Sequence, residues 1–185
     1  MDTELRIRQP DWLPGFLRGR PGPADDAQRI AEVLALAAEN VSRRSGGPFA
    51  AAVYDEESGE RIACAVNVVV PEHCALAHAE TLALALAQQC RGSHTLAARR
   101  CVLVASAEPC AMCVGAIAWS GVARVLYAAA RADVEAIGFD EGPRPARWKA
   151  ELVRRGIRVD GPRRRRDARA VLAAYASTAG VIYNG

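Results

Sequence analysis

Two short motifs constrain this chain more than anything else in it: His78-Ala79-Glu80, and further along Pro109-Cys110-Ala111-Met112-Cys113. Thiols three residues apart lie on adjacent corners of one helical turn, where both can reach one metal ion. The second motif follows Cys101-Val102-Leu103-Val104-Ala105, a short apolar run of buried-strand type, and the first opens another helix-like stretch. One imidazole and two thiolates make three ligands. A tetrahedral zinc ion so held keeps one open position, as catalytic zinc does, whereas a structural site takes a fourth protein ligand. Water in that position has its pKa pulled toward neutrality. Glu80, two residues past the histidine, is placed to take a proton from it and pass it on.

Each residue taken singly has a plainer reading. His78 could be an ordinary core or capping histidine, and Cys is among the most buried residue types. The joint pattern, with Glu80 and Pro109 in place, favours a catalytic metal. Cys64, Cys74, Cys90 and Cys101 are then expected to be reduced thiols, because a chain of 185 residues does not need disulfides to hold a core.

The composition excludes several classes. With 51% hydrophobic and 24% charged residues the chain reads as an ordinary globular domain. A formal charge of +3 is too small to imply nucleic acid as a partner. No apolar run approaches the roughly 18 residues of a membrane span, so no membrane is expected. The N-terminus carries acids and arginines without an apolar signal core, which points to a cytoplasmic protein.

Residues 1–24, rich in Pro, Gly and Arg, read as an irregular N-terminal arm. Its Trp12, Leu13, Phe16 and Leu17 could dock on a second subunit, or the arm could be a partly disordered terminus. Residues 25–185 read as a single domain. Asp25 is a plausible N-cap for a helix to about Arg44, whose buried face is Ile30, Val33, Leu34, Ala37, Ala38 and Val41. Ser45-Gly46-Gly47-Pro48 ends it. A hairpin follows, Phe49–Tyr54 and Glu60–Asn67, with Asn67 a candidate turn former. Ala77–Gln89 is a helix, Cys101–Ala105 a strand, and the next helix carries both thiols behind Pro109. Trp119 on that helix reads as core. Val122–Ala129 is a strand, Asp133–Ile137 a short helix, and Gly138–Pro145 a rigid loop whose Asp140 and Glu141 would ordinarily be solvated turn residues. Ala146–Arg155, Ile157–Val159 and Ala168–Ala179 are helix, edge strand and helix. Arg163–Arg166 reads as a solvated basic run, and the apolar tail from Gly180 to Gly185 should pack somewhere. The alternation of helices and strands argues for a layered α/β domain.

With these residues in view, the chain resembles the cytidine deaminase superfamily, whose zinc members carry the H-x-E…P-C-x-x-C signature, and within it the bacterial guanine deaminases. The resemblance runs from about Gly46 to Gly185. It rests on Gly-Gly-Pro-Phe at 46–49, Ala-His-Ala-Glu at 77–80, Ser-Ala-Glu-Pro-Cys-Ala-Met-Cys at 106–113, Ala-Ile-Gly-Phe-Asp-Glu-Gly-Pro-Arg-Pro at 136–145, and the terminal Gly-Val-Ile-Tyr-Asn. It implies a three-layer α/β/α fold with a central five-stranded mixed sheet, a homodimer, and one Zn2+ per subunit on His78, Cys110 and Cys113. It implies Glu80 as proton shuttle and Glu141, where some guanine deaminases have Asp, as a second acid that contacts a purine and helps protonate the departing amine. Asn67, Phe49 and Trp119 match positions that hold or stack on the base, and Tyr183 is the candidate from a tail that can close over the active site. The chain departs from that pattern in its long N-terminal arm and in Arg163–Arg166. The expected reaction is hydrolysis of guanine to xanthine and ammonia. Deamination of another amino-heterocycle (ammeline or another s-triazine, an aminopyrimidine, a pterin), a tRNA adenosine deaminase, and a non-catalytic zinc scaffold are the alternatives.

Overall fold

A computed structural model describes residues 3–20 and 22–184. Residues 1, 2 and 21 of the expected arm and Gly185 of the tail lie outside the described residues. The elements in order are α1 (Trp12–Leu17), α2 (Asp26–Ser42), β1 (Ala50–Asp55), β2 (Arg61–Val66), α3 (Ala79–Cys90), β3 (Cys101–Ala107), α4 (Ala111–Ser120), β4 (Arg124–Ala129), α5 (Arg131–Glu135), α6 (Trp148–Arg154), β5 (Arg158–Asp160) and α7 (Arg165–Ser177).

The five strands form one mixed sheet in the order β2-β1-β3-β4-β5. β1 runs antiparallel to β2 and β3, whereas β3, β4 and β5 are parallel. Both faces are covered, which is why β3 is buried along its whole length and shows no polar alternation. Successive side chains of β1 serve opposite layers. Ala50, Ala52 and Tyr54 join the core beneath α2 and α7, and Ala51 and Val53 join the core beneath α3, α4 and α6. The result is the expected three-layer α/β/α domain. No helix among the described residues is long and apolar enough to cross a membrane.

Asp25 caps α2 as expected, accepting the Gln28 amide at 2.8 Å. The expectation of an irregular arm fails at residues 12–17, which form α1. Pro14 sits in its first turn, where no amide donor is needed. Leu13 is buried in the same core as α2, with Trp12, Phe16 and Leu17 packed against it. These apolar residues therefore dock on their own domain. The helix expected to carry both thiols begins one residue later, so Cys110 is its N-cap and Cys113 lies in its first turn.

Topology gathers the chemistry at one end of the strands. Parallel β3 and β4 end there, leading into Glu108-Pro109-Cys110 and Ala130-Arg131. Because β1 is antiparallel to both neighbours, Phe49 just before its start and Asn67 just past the end of β2 fall at the same end of the strands.

Candidate metal centre and pocket

His78 is the N-cap of α3 and Cys110 the N-cap of α4, so two helix N-termini converge on one point. The His78 Nδ1 atom lies 3.6 Å from Cys110 Sγ and 3.7 Å from Cys113 Sγ. Among the described residues, these three form the one cluster of potential metal ligands. Zinc–nitrogen and zinc–sulfur bonds of about 2.0 and 2.3 Å at a tetrahedral angle span about 3.6 Å between ligand atoms. The donor set therefore fits zinc in both chemistry and spacing, with three protein ligands.

The charge state suits a metal as well. Cys110 is lowered to about 4, first by a hydrogen bond with Cys113 and then by His78 beside it, while Cys113 is pushed the other way. Such a pair shares one proton and readily presents thiolate. Burial acts against charge on His78, yet its neighbours Cys110, Glu80 and Glu141 together raise its pKa.

Two carboxyls face the same cavity, which has a volume of about 340 Å³ and is also lined by His78 and Cys110. Glu80, in the first turn of α3, is buried, and burial with the Cys110 charge lifts it to about 7. Glu141 is lifted to about 8 by burial, by Cys110 and by Glu80. A dication among the ligands would oppose both lifts, because it favours nearby carboxylates.

The Glu141 loop is tied to the metal loop. The Ala111 amide donates to the Glu141 carbonyl at 3.0 Å. Arg144, whose side chain is largely covered, donates to the Pro109 carbonyl and to Glu108 at 2.6 and 2.9 Å. The tail closes the other side. Asn184 accepts the Asp140 amide at 2.8 Å and donates to the Gly138 carbonyl at 3.0 Å. Tyr183 is thereby laid edge-on against Phe139 and His78, at ring distances of 5.0 and 6.4 Å. Phe49 meets Phe139 at 5.1 Å, so aromatic edges and faces line the slot beside the ligands.

Asn67 is fully buried at the end of β2. Its amide donates to the Phe49 carbonyl at 2.9 Å, and its Oδ1 accepts the Val69 amide at 3.3 Å. Its Nδ2 and the Tyr183 hydroxyl are buried and make no well-formed hydrogen bond with the protein, although the Asn67 side chain is close enough to act on that hydroxyl. They are neighbours: a Cβ on Gly47 would stand 2.4 Å from that hydroxyl and 3.0 Å from Asn67 Oδ1. Unpaired buried donors cost free energy that a ligand can return.

The structure thus brings together His78, Glu80, Cys110, Cys113, Glu141, Phe49, Tyr183 and Asn67, but not Trp119. That side chain is 80% exposed, with the Arg155 guanidinium 6.0 Å above its ring. Six residues along a helix turn it about 120° away from Cys113, so it is neither core nor part of the cavity. Residue-by-residue reading missed Phe139, Arg144 and Asn184. The first two lie inside the 136–145 stretch that carried the resemblance. Loop residues have no periodicity to reveal which side chains turn inward.

Residues 24–129 match the family described as the cytidine and deoxycytidylate deaminase zinc-binding region, more than half of the chain. Guanine deaminase of Bacillus subtilis (strain 168) is 38% identical over 112 residues, covering 60% of this chain and 69% of that protein. The solved structure of guanine deaminase from Nitrosomonas europaea is 46% identical, with a TM-score of 0.90 over 96% of this chain and 98% of that one. A structure of the protein NE0047 with 2,6-diaminopurine is 47% identical, with a TM-score of 0.92 over 100% and 98%. Three zinc-compatible ligands in a cavity with two buried carboxyls agree with these likenesses, and the chain belongs to the cytidine and deoxycytidylate deaminase zinc-binding family, in which its relatives include bacterial guanine deaminases.

Proposed function

We propose that the protein hydrolyses guanine to xanthine and ammonia. The observation that carries this reading is the pair of buried carboxyls, Glu80 and Glu141, facing one cavity with the His78, Cys110 and Cys113 cluster. Water adds at C2 and the 2-amino group leaves, so one water proton must reach a ring nitrogen and the other, from the C2 hydroxyl of the adduct, must reach the departing amine as the C2 carbonyl forms. Zinc held by His78, Cys110 and Cys113 would supply Lewis-acid activation of the water. Glu80 stands beside the ligands and takes and returns the first proton, for which a carboxyl poised near neutrality is suited. Glu141 contacts the amine and serves the second transfer. Phe49 and Phe139, already in edge-to-face contact with each other, offer an aromatic wall to the ring, while Asn67 and Tyr183 offer their buried polar groups to its heteroatoms. A site whose buried donors need a partner discriminates strongly against analogues that lack one.

The relatives that bear the name guanine deaminase support the choice of ring. The rest of the reading is a cytoplasmic homodimer acting in purine catabolism on a small molecule. The exposed Trp119 supports a partner subunit, since Trp is enriched at interfaces relative to the rest of the surface. Ammonia release by the zinc-loaded protein tests the function, with guanine, guanosine, adenine, cytosine, cytidine and ammeline compared. Turnover of guanine above the others is expected. Turnover confined to another ring would replace guanine while leaving the deaminase chemistry. Light scattering tests the dimer.

A further inference from the structure

The N-terminal segment does more than cover the core. Gln9 holds the Val66 peptide from both sides, its Oε1 accepting the Val66 amide at 2.7 Å and its Nε2 donating to the Val66 carbonyl at 3.2 Å. Val66 immediately precedes Asn67. A second route starts at Trp12, whose Nε1 donates to Ser45 Oγ at 2.9 Å. Ser45 Oγ donates to Asn40 Oδ1 at 2.7 Å. Asn40 Nδ2 then donates to the carbonyls of Asn67, at 3.0 Å, and of Gly47, at 2.8 Å. Asn40 and Asn67 are both 0% exposed.

The direction of this chain is fixed by donor and acceptor counts. Indole nitrogen only donates, so the Ser45 hydroxyl hydrogen is free for Asn40 Oδ1. That sets the Asn40 amide with its NH2 toward the two carbonyls. The flipped amide would oppose oxygen to oxygen at both. Space reinforces it, since a Cβ on Gly46 would stand 1.9 Å from the Asn67 carbonyl oxygen and 2.9 Å from Asn40 Nδ2. The two routes therefore fix the peptide on either side of Asn67, whose buried Nδ2 makes no well-formed hydrogen bond and lies beside the Tyr183 hydroxyl.

We propose that Gln9 and Trp12, the latter acting through Ser45 and Asn40, are positioning residues that hold the Asn67 side-chain amide in its substrate-facing orientation. The inference rests on the reading of Asn67 as a contact to the ring. A donor held in place binds without first losing rotational freedom, so its loss weakens binding more than chemistry. Gln9 and Trp12 touch neither the metal ligands nor the carboxyls, so proton transfer is untouched.

The test is the variant Gln9→Ala/Trp12→Phe, which keeps an aromatic ring at position 12, made with and without Asn67→Ala. In the zinc-loaded protein the pair raises KM for guanine roughly 3–10-fold, the scale of one or two hydrogen bonds. The turnover number and zinc content stay within about twofold of the parent. In the Asn67→Ala background the same pair changes KM less than about twofold, because the residue it positions is gone. The side-chain amide resonance of Asn67, assigned by its loss in Asn67→Ala, shifts or broadens in the Gln9→Ala/Trp12→Phe protein. An unmoved resonance overturns the inference whatever the substrate is. So does an equal KM effect in both backgrounds, which a general loosening of the fold would give. A moved resonance in a protein whose parent does not deaminate guanine would support the positioning role and refute the proposed function.

Discussion

Arg144→Ala tests how the second carboxyl is held. The Arg144 guanidinium and its partner Glu108 have only 6% and 11% of their side chains exposed, and they meet at 2.9 Å. The same guanidinium donates to the Pro109 carbonyl at 2.6 Å and lies 4.7 Å from the centre of the Trp148 ring. Glu108 has one further donor, the Arg131 amide at 3.0 Å. Truncation leaves a buried carboxylate with that single donor and an unpaired carbonyl. Breaking a buried pair from one side costs about 3–5 kcal/mol, and the lost contact with the indole face adds about 0.5–2 kcal/mol. Adding Glu108→Gln removes the uncompensated charge and keeps an acceptor for Arg131, so the double variant regains about 1–3 kcal/mol. The assay is urea unfolding at fixed zinc and pH for parent, single and double variants. Because the Arg144 loop also carries Glu141, the single variant loses ~10–100-fold in turnover through misplacement of that carboxyl. A single variant within 1 kcal/mol of the parent, or a double variant less stable than the single, would refute the reasoning.

Glu80→Gln preserves size and removes the proposed proton relay, so turnover falls about 10²–10⁴-fold while metal analysis shows the parent zinc content. Glu141→Gln changes the pH dependence of stability in the metal-stripped protein. Its carboxyl is raised to about 8 from 4.5, chiefly by burial, so the stability associated with its protonated form is present below about 4.5 and is lost as pH rises through 8; unfolding at pH 4 and pH 9 shows the Gln variant gaining on the parent only at the alkaline value. Gly47→Ala drives a methyl group onto the Tyr183 hydroxyl, raising KM for guanine several-fold, and the same substitution made in a Tyr183→Phe background raises KM by less, because the clashing oxygen is already gone. Stripping the metal with a chelator abolishes ammonia release, and zinc restores it.

Spacing made the metal cluster legible, because His-x-Glu and Cys-x-x-Cys carry their geometry locally once each begins a helix. The core of α2 was equally legible from its apolar period, and its start from Asp25. The α1 helix was hidden by Pro14 and Gly15, which ordinarily break helices but are harmless in a single docked turn. Trp119 misled because an aromatic on an apolar helix is usually core; here the small residues around it let α4 pack with the indole outward. The Glu108–Arg144 clamp and the Trp12–Ser45–Asn40 chain join residues far apart in sequence, and only the sheet topology puts them in reach.

The most direct test of the account is ammonia release from guanine by the zinc-loaded protein, measured beside its Glu80→Gln variant. The account predicts turnover by the first and its near loss in the second at equal zinc content. No release by the first, or equal release by both, would contradict it.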